Sequence, residues 1–342
     1  MNYDVTIGIP VYKAVDYIGK TMKSALNQTF NSIEYLIVDD CGEDGSMAIV
    51  EKFRVTHPRG ASIRILRNDY NQGVGSSRNR IINEANGRYL YFLDSDDQIE
   101  QDTISTMMWI MEQYLSDVVY ASYEKIDMIH HHTEQHQYPS KRFFSNDEFG
   151  KFVFSQYHNF QVSVCNCLMN IDFLRKNDLR FIDAMFWEDM GFTYEMATKA
   201  EKVVLLPDIT YHYICRPYSL SNYQDRETLH RDEIIKNAST IGYLKWRCYR
   251  LREKIYTPGF CYVLQMNSFY VVCHVLKHRN RIIPHILNSE LRQMMHPPLG
   301  LSYILRFKYK RCRNMLLWLI PHLPIPLFVV LVWLMGKAKK VI

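Results

Sequence analysis

Beyond Glu290 the chain has no acidic residue. The stretch from Leu291 to Ile342 instead carries Arg292, Arg306, Lys308, Lys310, Arg311, Arg313, Lys337, Lys339 and Lys340. Setting those nine charges aside turns a formal charge of +5 into −4 for the first 290 residues. An acidic body excludes nucleic acid as the principal partner, whereas an unopposed basic tail points to an anionic surface. Paired cysteines are missing as well. The eight thiols are scattered, and Cys165 and Cys167 sit too close for a zinc knuckle; reduced thiols in a cytoplasmic protein are expected, not a disulfide or zinc framework. No basic segment precedes the first apolar run, because Met1-Asn2-Tyr3-Asp4 leads straight into it, and no targeting leader is expected. Internal repeats are lacking too. A composition of 47% hydrophobic and 23% charged residues excludes disorder, and a chain of 342 residues can bury one large domain with a C-terminal extension.

What is present is an alternation of periods. Val5–Ile9, Ile33–Val38, Ile63–Leu66, Tyr89–Leu93 and Val118–Ser122 read as short buried strands. Between them Tyr17–Thr29, Ser46–Phe53, about Gly75–Asn86 and Thr103–Tyr114 carry apolar residues at helical spacing, with Gly87 expected to stop the third helix. This alternation predicts an α/β, Rossmann-like sheet, mixed but mostly parallel, flanked by helices and followed by a helical extension. Ligands of such sheets bind beyond the carboxyl ends of the strands. Those ends carry Pro10-Val11-Tyr12, Asp39-Asp40 and Asp94-Ser95-Asp96-Asp97. After Glu124 a polar stretch with His130, His131, His132 and His136 reads as a surface loop. Helical spacing returns at Asp147–Phe154 and Glu188–Lys199, then two short strands at Val203–Leu206 and Thr210–Ile214. Two helices broken near Thr257-Pro258-Gly259 fill Thr228–His278.

Asp94, Asp96 and Asp97 place hard carboxylate oxygens at the ligand edge of the sheet, the donors Mn²⁺ or Mg²⁺ prefer when shared with phosphates. A solvated acidic turn capping the next helix would read the same way. Asn71-Gln72-Gly73-Val74-Gly75 followed by Arg78-Asn79 puts glycines and a cation at a helix start, which suits a diphosphate, although the lysine of a P-loop is absent.

The ordered set Ile9-Pro10-Val11-Tyr12, Val38-Asp39-Asp40, Asn71-x-Gly73 through Arg78-Asn79, and Gly87-Arg88-Tyr89 leading to Asp94-Ser95-Asp96-Asp97 resembles the family 2 glycosyltransferases over residues 4 to 125. Trp187-Glu188-Asp189 extends the likeness to about residue 220. The second block departs from the family's Asp-Asp-Gly-Ser, reading Asp39-Asp40-Cys41-Gly42 before Glu43-Asp44-Gly45-Ser46. The resemblance implies a GT-A fold and an inverting, metal-dependent transferase using a nucleotide-diphosphate sugar, with a UDP-sugar first among donors. It implies Pro10 and Tyr12 flanking the base, Asp39 and Asp40 in the nucleotide site with Asp40 accepting from the base, and Arg78 near base or phosphates. It further implies Asp94, Ser95 and Asp96 in donor contact, Asp96 and Asp97 at the metal, and Asp189 as the base that deprotonates the acceptor. His212 is a further metal candidate, and Arg216 and Ser219 fall where a loop would close over the diphosphate.

The resemblance also frames the domains expected: 1–225 as transferase, divided into a nucleotide-sugar half (1–125) and an acceptor half (126–225), then 226–300 as a helical extension and 301–342 as a basic, apolar tail. Met315–Met335 is apolar but interrupted by Pro321, Pro324 and Pro326. A continuous span is therefore disfavoured, and an in-plane or re-entrant segment against anionic lipid at the inner face of the cell membrane is expected. A helix packed on the protein's own body is the alternative. The acceptor implied is a glycan or polyprenyl-linked glycan of the cell surface. A sugar nucleotidyltransferase would carry a glycine-rich basic loop where Pro10-Val11-Tyr12-Lys13 stands. A non-catalytic nucleotide-sugar-binding scaffold is the other competing reading.

Overall fold

The first apolar run forms the centre of the sheet because it is apolar on both faces. Tyr3–Val11 (β1) is buried from Val5 onward and pairs in parallel with both Ile33–Asp39 (β2) and the Gly87–Phe92 strand. The computed structural model describes residues 3–128, 130–157, 160–184, 187–216 and 226–342. Ile63–Arg67 (β3) extends the sheet beyond β2, and Gly87–Phe92 (β4) lies on the other side of β1. Then follow Gln98–Ile99 (β5), Val118–Asp127 (β6), His132–His136 (β7), Lys141–Phe143 (β8), Cys167–Asn170 (β9) and Val203–Cys215 (β10). The main strand order is β3-β2-β1-β4-β9-β6-β10-β5, with β7 on β6 and β8 on β10.

Two compact units interleave along the chain. The first comprises residues 1–146, 163–181 and 199–219 and holds all ten of these strands; the second comprises 147–162, 182–198 and 220–342. In the first unit the helix Ile18–Leu26 buries Ile18, Met22, Ala25 and Leu26, one stripe at helical spacing. Fully burying such a large apolar side chain contributes roughly 1.5–3 kcal/mol.

Three local expectations are corrected. Gly87 does not cap a helix: the helix Val74–Glu84 ends before it, and Gly87 opens β4. A Cβ there would lie 2.5 Å from the Thr6 amide nitrogen, so glycine lets β4 close onto β1. The sheet is mixed, as expected, through β9, which runs antiparallel between β4 and β6. The His132–His136 segment is a strand paired with β6, not a loop. Val203–Cys215 is one strand with register irregularities near Leu206–Tyr211, not two.

The second unit is helical. Arg231–Arg250 and Thr257–Lys277 are separate helices, the second with Pro258 in its first turn, where a missing N–H costs nothing. Thr257–Lys277 is long and apolar enough to cross a bilayer, but 61% of its most apolar window is buried inside the protein. The tail folds back onto it. Leu317, Ile320, Phe328 and Val332 join Phe269, Val272 and Cys273 in one core cluster. The opposite side of the tail stays exposed at Leu316, Leu319, Leu327, Val330, Leu331, Trp333 and Leu334.

Candidate active site

In the order β3-β2-β1-β4, successive crossovers leave β1 in opposite directions, and the ligand crevice of such sheets opens at that reversal. At the carboxyl end of β4 the chain turns sharply. Thr21 Oγ1 donates to the Ser95 carbonyl at 3.0 Å, and the Asp97 amide donates to the Asp94 carbonyl at 3.1 Å. This turn gives its three carboxylates three different surroundings.

Asp94 is partly exposed, and its Oδ1 accepts from Arg78 Nη2 at 2.8 Å. Arg78 is buried, with its guanidinium against the Phe181 ring. It therefore positions Asp94 and does not itself reach into the crevice. Asp96 accepts from Arg216 Nε at 2.6 Å, and the same guanidinium lies over the Tyr17 ring, 4.8 Å from its centroid. Burial, then the negative charge of Asp94, raises the Asp96 carboxyl above its usual range, and Arg216 opposes that rise. Each of Asp94 and Asp96 keeps a second oxygen that no described cation engages.

Asp97 differs. It is 1% exposed, and its oxygens accept from the Tyr211 hydroxyl at 2.6 Å and the Ile214 amide at 2.7 Å. Burial, reinforced by Asp96 and Asp94, raises its carboxyl well above the ordinary value. Its expected place at a metal is not where the geometry puts it: it ties β10 to the turn. His212 is likewise held elsewhere. Its Nδ1 lies 2.8 Å from Glu124 Oε1 and its Nε2 2.9 Å from Glu100 Oε1. Since Tyr211 reaches the turn, strand alternation directs its neighbour His212 to the other face. Among the described residues no three His, Cys, Asp or Glu side chains form a ready metal cage. Asp94 and Asp96 still fit a hard cation, because Mg²⁺-type sites commonly take one or two carboxylates and complete the shell with phosphate and water.

The ends of β1, β2 and β3 line a cavity of about 140 Å³ bounded by Val11, Lys13, Asp39, the Gly42–Ala48 segment and Arg67. Asp39 accepts from the Cys41 amide at 3.0 Å and faces Arg67 Nε at 3.5 Å. Its neighbour Asp40 turns inward and accepts from Asn68 Nδ2 and from the amides of Gln72 and Gly73, at 2.7, 2.9 and 2.9 Å. Gly73 has φ +86°, the left-handed region where glycine is the default, so the loop entering the Val74–Glu84 helix is folded around Asp40. Of the two neighbours Asp39, not Asp40, lines this cavity, together with Glu43 and Asp44. Pro10 is buried within β1, while Tyr12 is exposed with Lys13 Nζ 5.3 Å from its ring centroid. Lys13 and Arg67 join the site only through the fold. Arg67 ends β3, one of two strand ends not read as ligand positions from the sequence, and that position was the available signal. Asn79 of the motif clamps Phe181, donating to its carbonyl and accepting from its amide, both at 2.8 Å.

Asp189 lies in the second unit, half-buried in the first turn of the helix Glu188–Ala197. Ser219 lies outside the described residues.

A family model described as Glycosyl transferase family 2 matches residues 6–176, half of the chain. Glycosyltransferase GlyA of Streptococcus pneumoniae is 28% identical over 250 residues, 70% of this chain but only 35% of that protein. The chain thus spans about a third of that relative. A processive diacylglycerol beta-glycosyltransferase of Mycoplasma pneumoniae is 27% identical over 66% of this chain and 67% of its own length. A cholesterol galactosyltransferase of Borreliella burgdorferi is 25% identical, covering 79% and 77%. Among solved structures, S. aureus TarS 1-349 in complex with UDP-GlcNAc superposes with a TM-score of 0.65 at 17% identity, over 93% of this chain and 90% of that one. The mixed sheet flanked by helices is the GT-A arrangement, and the chain belongs to glycosyltransferase family 2.

Proposed function

We propose that this chain is an inverting, metal-dependent transferase. It moves a sugar from a UDP-sugar to a hydroxyl of a glycan or lipid-linked acceptor at the inner face of the cell membrane. The observation that carries the reading is the placement, in one unit, of the cavity bearing Asp39, Lys13 and Arg67 beside the Asp94–Asp96 carboxylate pair at the reversal of strand order. A nucleobase in that cavity meets Asp39 as acceptor for its N–H, with Tyr12 as a neighbouring stacking surface. This gives Asp39 the base-reading role first expected of Asp40. Asp94 and Asp96 are the residues to hold Mn²⁺ or Mg²⁺, which when bound offsets the charge developing on the departing diphosphate. Arg216 then moves from Asp96 to a phosphate oxygen, exchanging one anion for another. Asp189 takes the proton from the acceptor hydroxyl as it attacks the anomeric carbon opposite the leaving group.

The acceptor assignment is supported by two of these relatives, a diacylglycerol glycosyltransferase and a cholesterol galactosyltransferase. Membrane contact is supported by the tail, whose exposed apolar side chains are bordered by the unopposed cations Arg306, Lys308, Arg311, Arg313, Lys337, Lys339 and Lys340. Thermal shift with a panel of nucleotide sugars, each with and without Mn²⁺, tests the donor. Asp189→Asn tests the base: turnover should fall roughly 10²–10⁴-fold with metal-dependent donor binding intact. Retained turnover would remove Asp189 from the reaction.

A further inference from the structure

A second hollow, of about 410 Å³, lies wholly in the helical unit and is lined by Ser289, Arg292, Gln293, His296, Pro321 and His322. No carboxylate lines it. Arg292 forms no ion pair among the described residues, and the nearby Glu290 is taken up by Arg231. His322 is held by two contacts on one side: its Nδ1 donates to the Trp318 carbonyl at 2.7 Å, and its ring stacks on Trp318 at 4.1 Å between centroids. Its Nε2 is the nitrogen left for a ligand. The His296 ring stands 5.2 Å from that of His322, edge to face. Behind them Lys245 Nζ donates to the Met294 carbonyl at 2.6 Å. Burial, then His322, Lys245 and Arg292, pushes the His296 imidazole below its usual range. Arg292 and Lys245 thus stand close to two imidazoles with no carboxylate in the lining, an arrangement that favours an anion.

We propose that this hollow binds the phosphate of a lipid phosphomonoester in the membrane. A monoester presents three terminal oxygens and up to two charges, matching Arg292, His296 and His322, whereas a diester presents two oxygens and one charge. The lipid source is favoured by the rim. Exposed Leu287 begins the segment that carries Ser289 and Arg292, and exposed Leu319 precedes the turn that carries Pro321 and His322. Both segments that line the hollow thus carry an exposed leucine close in sequence to their lining residues. The inference rests on the membrane reading above and narrows it from diffuse attraction to one recognised headgroup.

The test is flotation of the full chain with phosphatidylcholine vesicles containing either phosphatidic acid or phosphatidylglycerol at matched surface charge. The wild type should favour phosphatidic acid roughly tenfold, a ratio of about 1.4 kcal/mol. The pair Arg292→Gln and His322→Gln, checked for an unchanged melting temperature, should abolish that preference. The pair Lys339→Gln and Lys340→Gln, which removes two charges outside the hollow, should weaken binding to both vesicles and keep the preference. A wild type that binds the two vesicles equally overturns this proposal and leaves the membrane reading standing; no binding to either overturns both. A preference that survives in the Arg292/His322 pair also overturns the proposal. So does thermal stabilisation by inorganic phosphate without any lipid preference, which would assign the hollow to a soluble anion.

Discussion

The sheet edge and the C-terminal helices handle charge in opposite ways. At the edge, Asp94 is matched by Arg78 and Asp96 by Arg216, while Asp97 is satisfied by a hydroxyl and an amide. In the helical unit, Lys245, Arg292, His296 and His322 gather without a carboxylate. The first region stores its charges as pairs that an incoming ligand must exchange. The second keeps Arg292 and Lys245 near two imidazoles with no carboxylate in the lining, an arrangement that an anion from outside relieves. A reaction centre needs the former, because paired groups are already oriented when the donor arrives. A docking surface tolerates the latter.

The largest test of the edge is Asp96→Asn. If Asp96 holds the metal against the donor diphosphate, turnover should fall by about 10³-fold, in the range for losing one electrostatic contact to a developing charge. Isothermal titration of Mn²⁺ with UDP present should lose its heat. Near-normal turnover would mean that the pairing with Arg216 is structural.

On the cationic side the largest effect is Lys245. Burial lowers its pKa from 10.5 to about 8. Between those values the unfolded chain holds a proton that the folded chain has released, so this residue makes stability rise with pH across that window. Below pH 8 the buried charge costs roughly 3 kcal/mol. Melting curves of wild type and Lys245→Met should therefore diverge at neutral pH, with the variant more stable, less the lost bond to the Met294 carbonyl. They should converge toward pH 10.5. A constant difference would deny that Lys245 is a buried charge.

Asp97→Ala comes next in size. It strands the buried Tyr211 hydroxyl and the half-buried Ile214 amide, and should cost about 2 kcal/mol in denaturant melts. Asp97→Asn keeps an acceptor and should cost less. Metal affinity unchanged in Asp97→Asn would fix Asp97 as a structural residue of the turn.

Where the sequence was readable, the reason was local. β1, β2 and β4 are apolar on both faces, and strand ends in such sheets are ligand positions whatever lies elsewhere, so Asp39 and Asp94–Asp97 stood out. The division of labour among them did not. Whether Asp39 or Asp40 faces the crevice depends on Gly73 turning its amide toward Asp40, and whether Asp97 or Asp96 is free depends on Tyr211, more than a hundred residues away. β9 escaped notice because Cys167–Asn170 is only four residues long and antiparallel. The tail's two sides were equally hidden: proline positions argued against a continuous span, but only tertiary packing shows Phe328 and Val332 turned inward and Leu327, Val330 and Leu331 left outside.

The smallest predicted effect separates the two regions most sharply. If Arg216 is a placeholder on Asp96, removing it should act in opposite directions on two ligands. In Arg216→Gln, Mn²⁺ binding without donor should tighten several-fold at neutral pH, since the cation no longer displaces a guanidinium. Donor KM should rise several-fold, about 1 kcal/mol, because a phosphate loses its charge-assisted partner. Lowering the pH should erase the gain in metal affinity, because Arg216 opposes the upward shift that burial and Asp94 impose on Asp96. Without it the carboxyl takes up its proton at a higher pH than in the wild type. A parallel loss of both affinities would show a fixed ion pair that shapes the turn. In that case the edge, like the cationic hollow, would hold its charges for structure or docking, and the exchange proposed for it would fail.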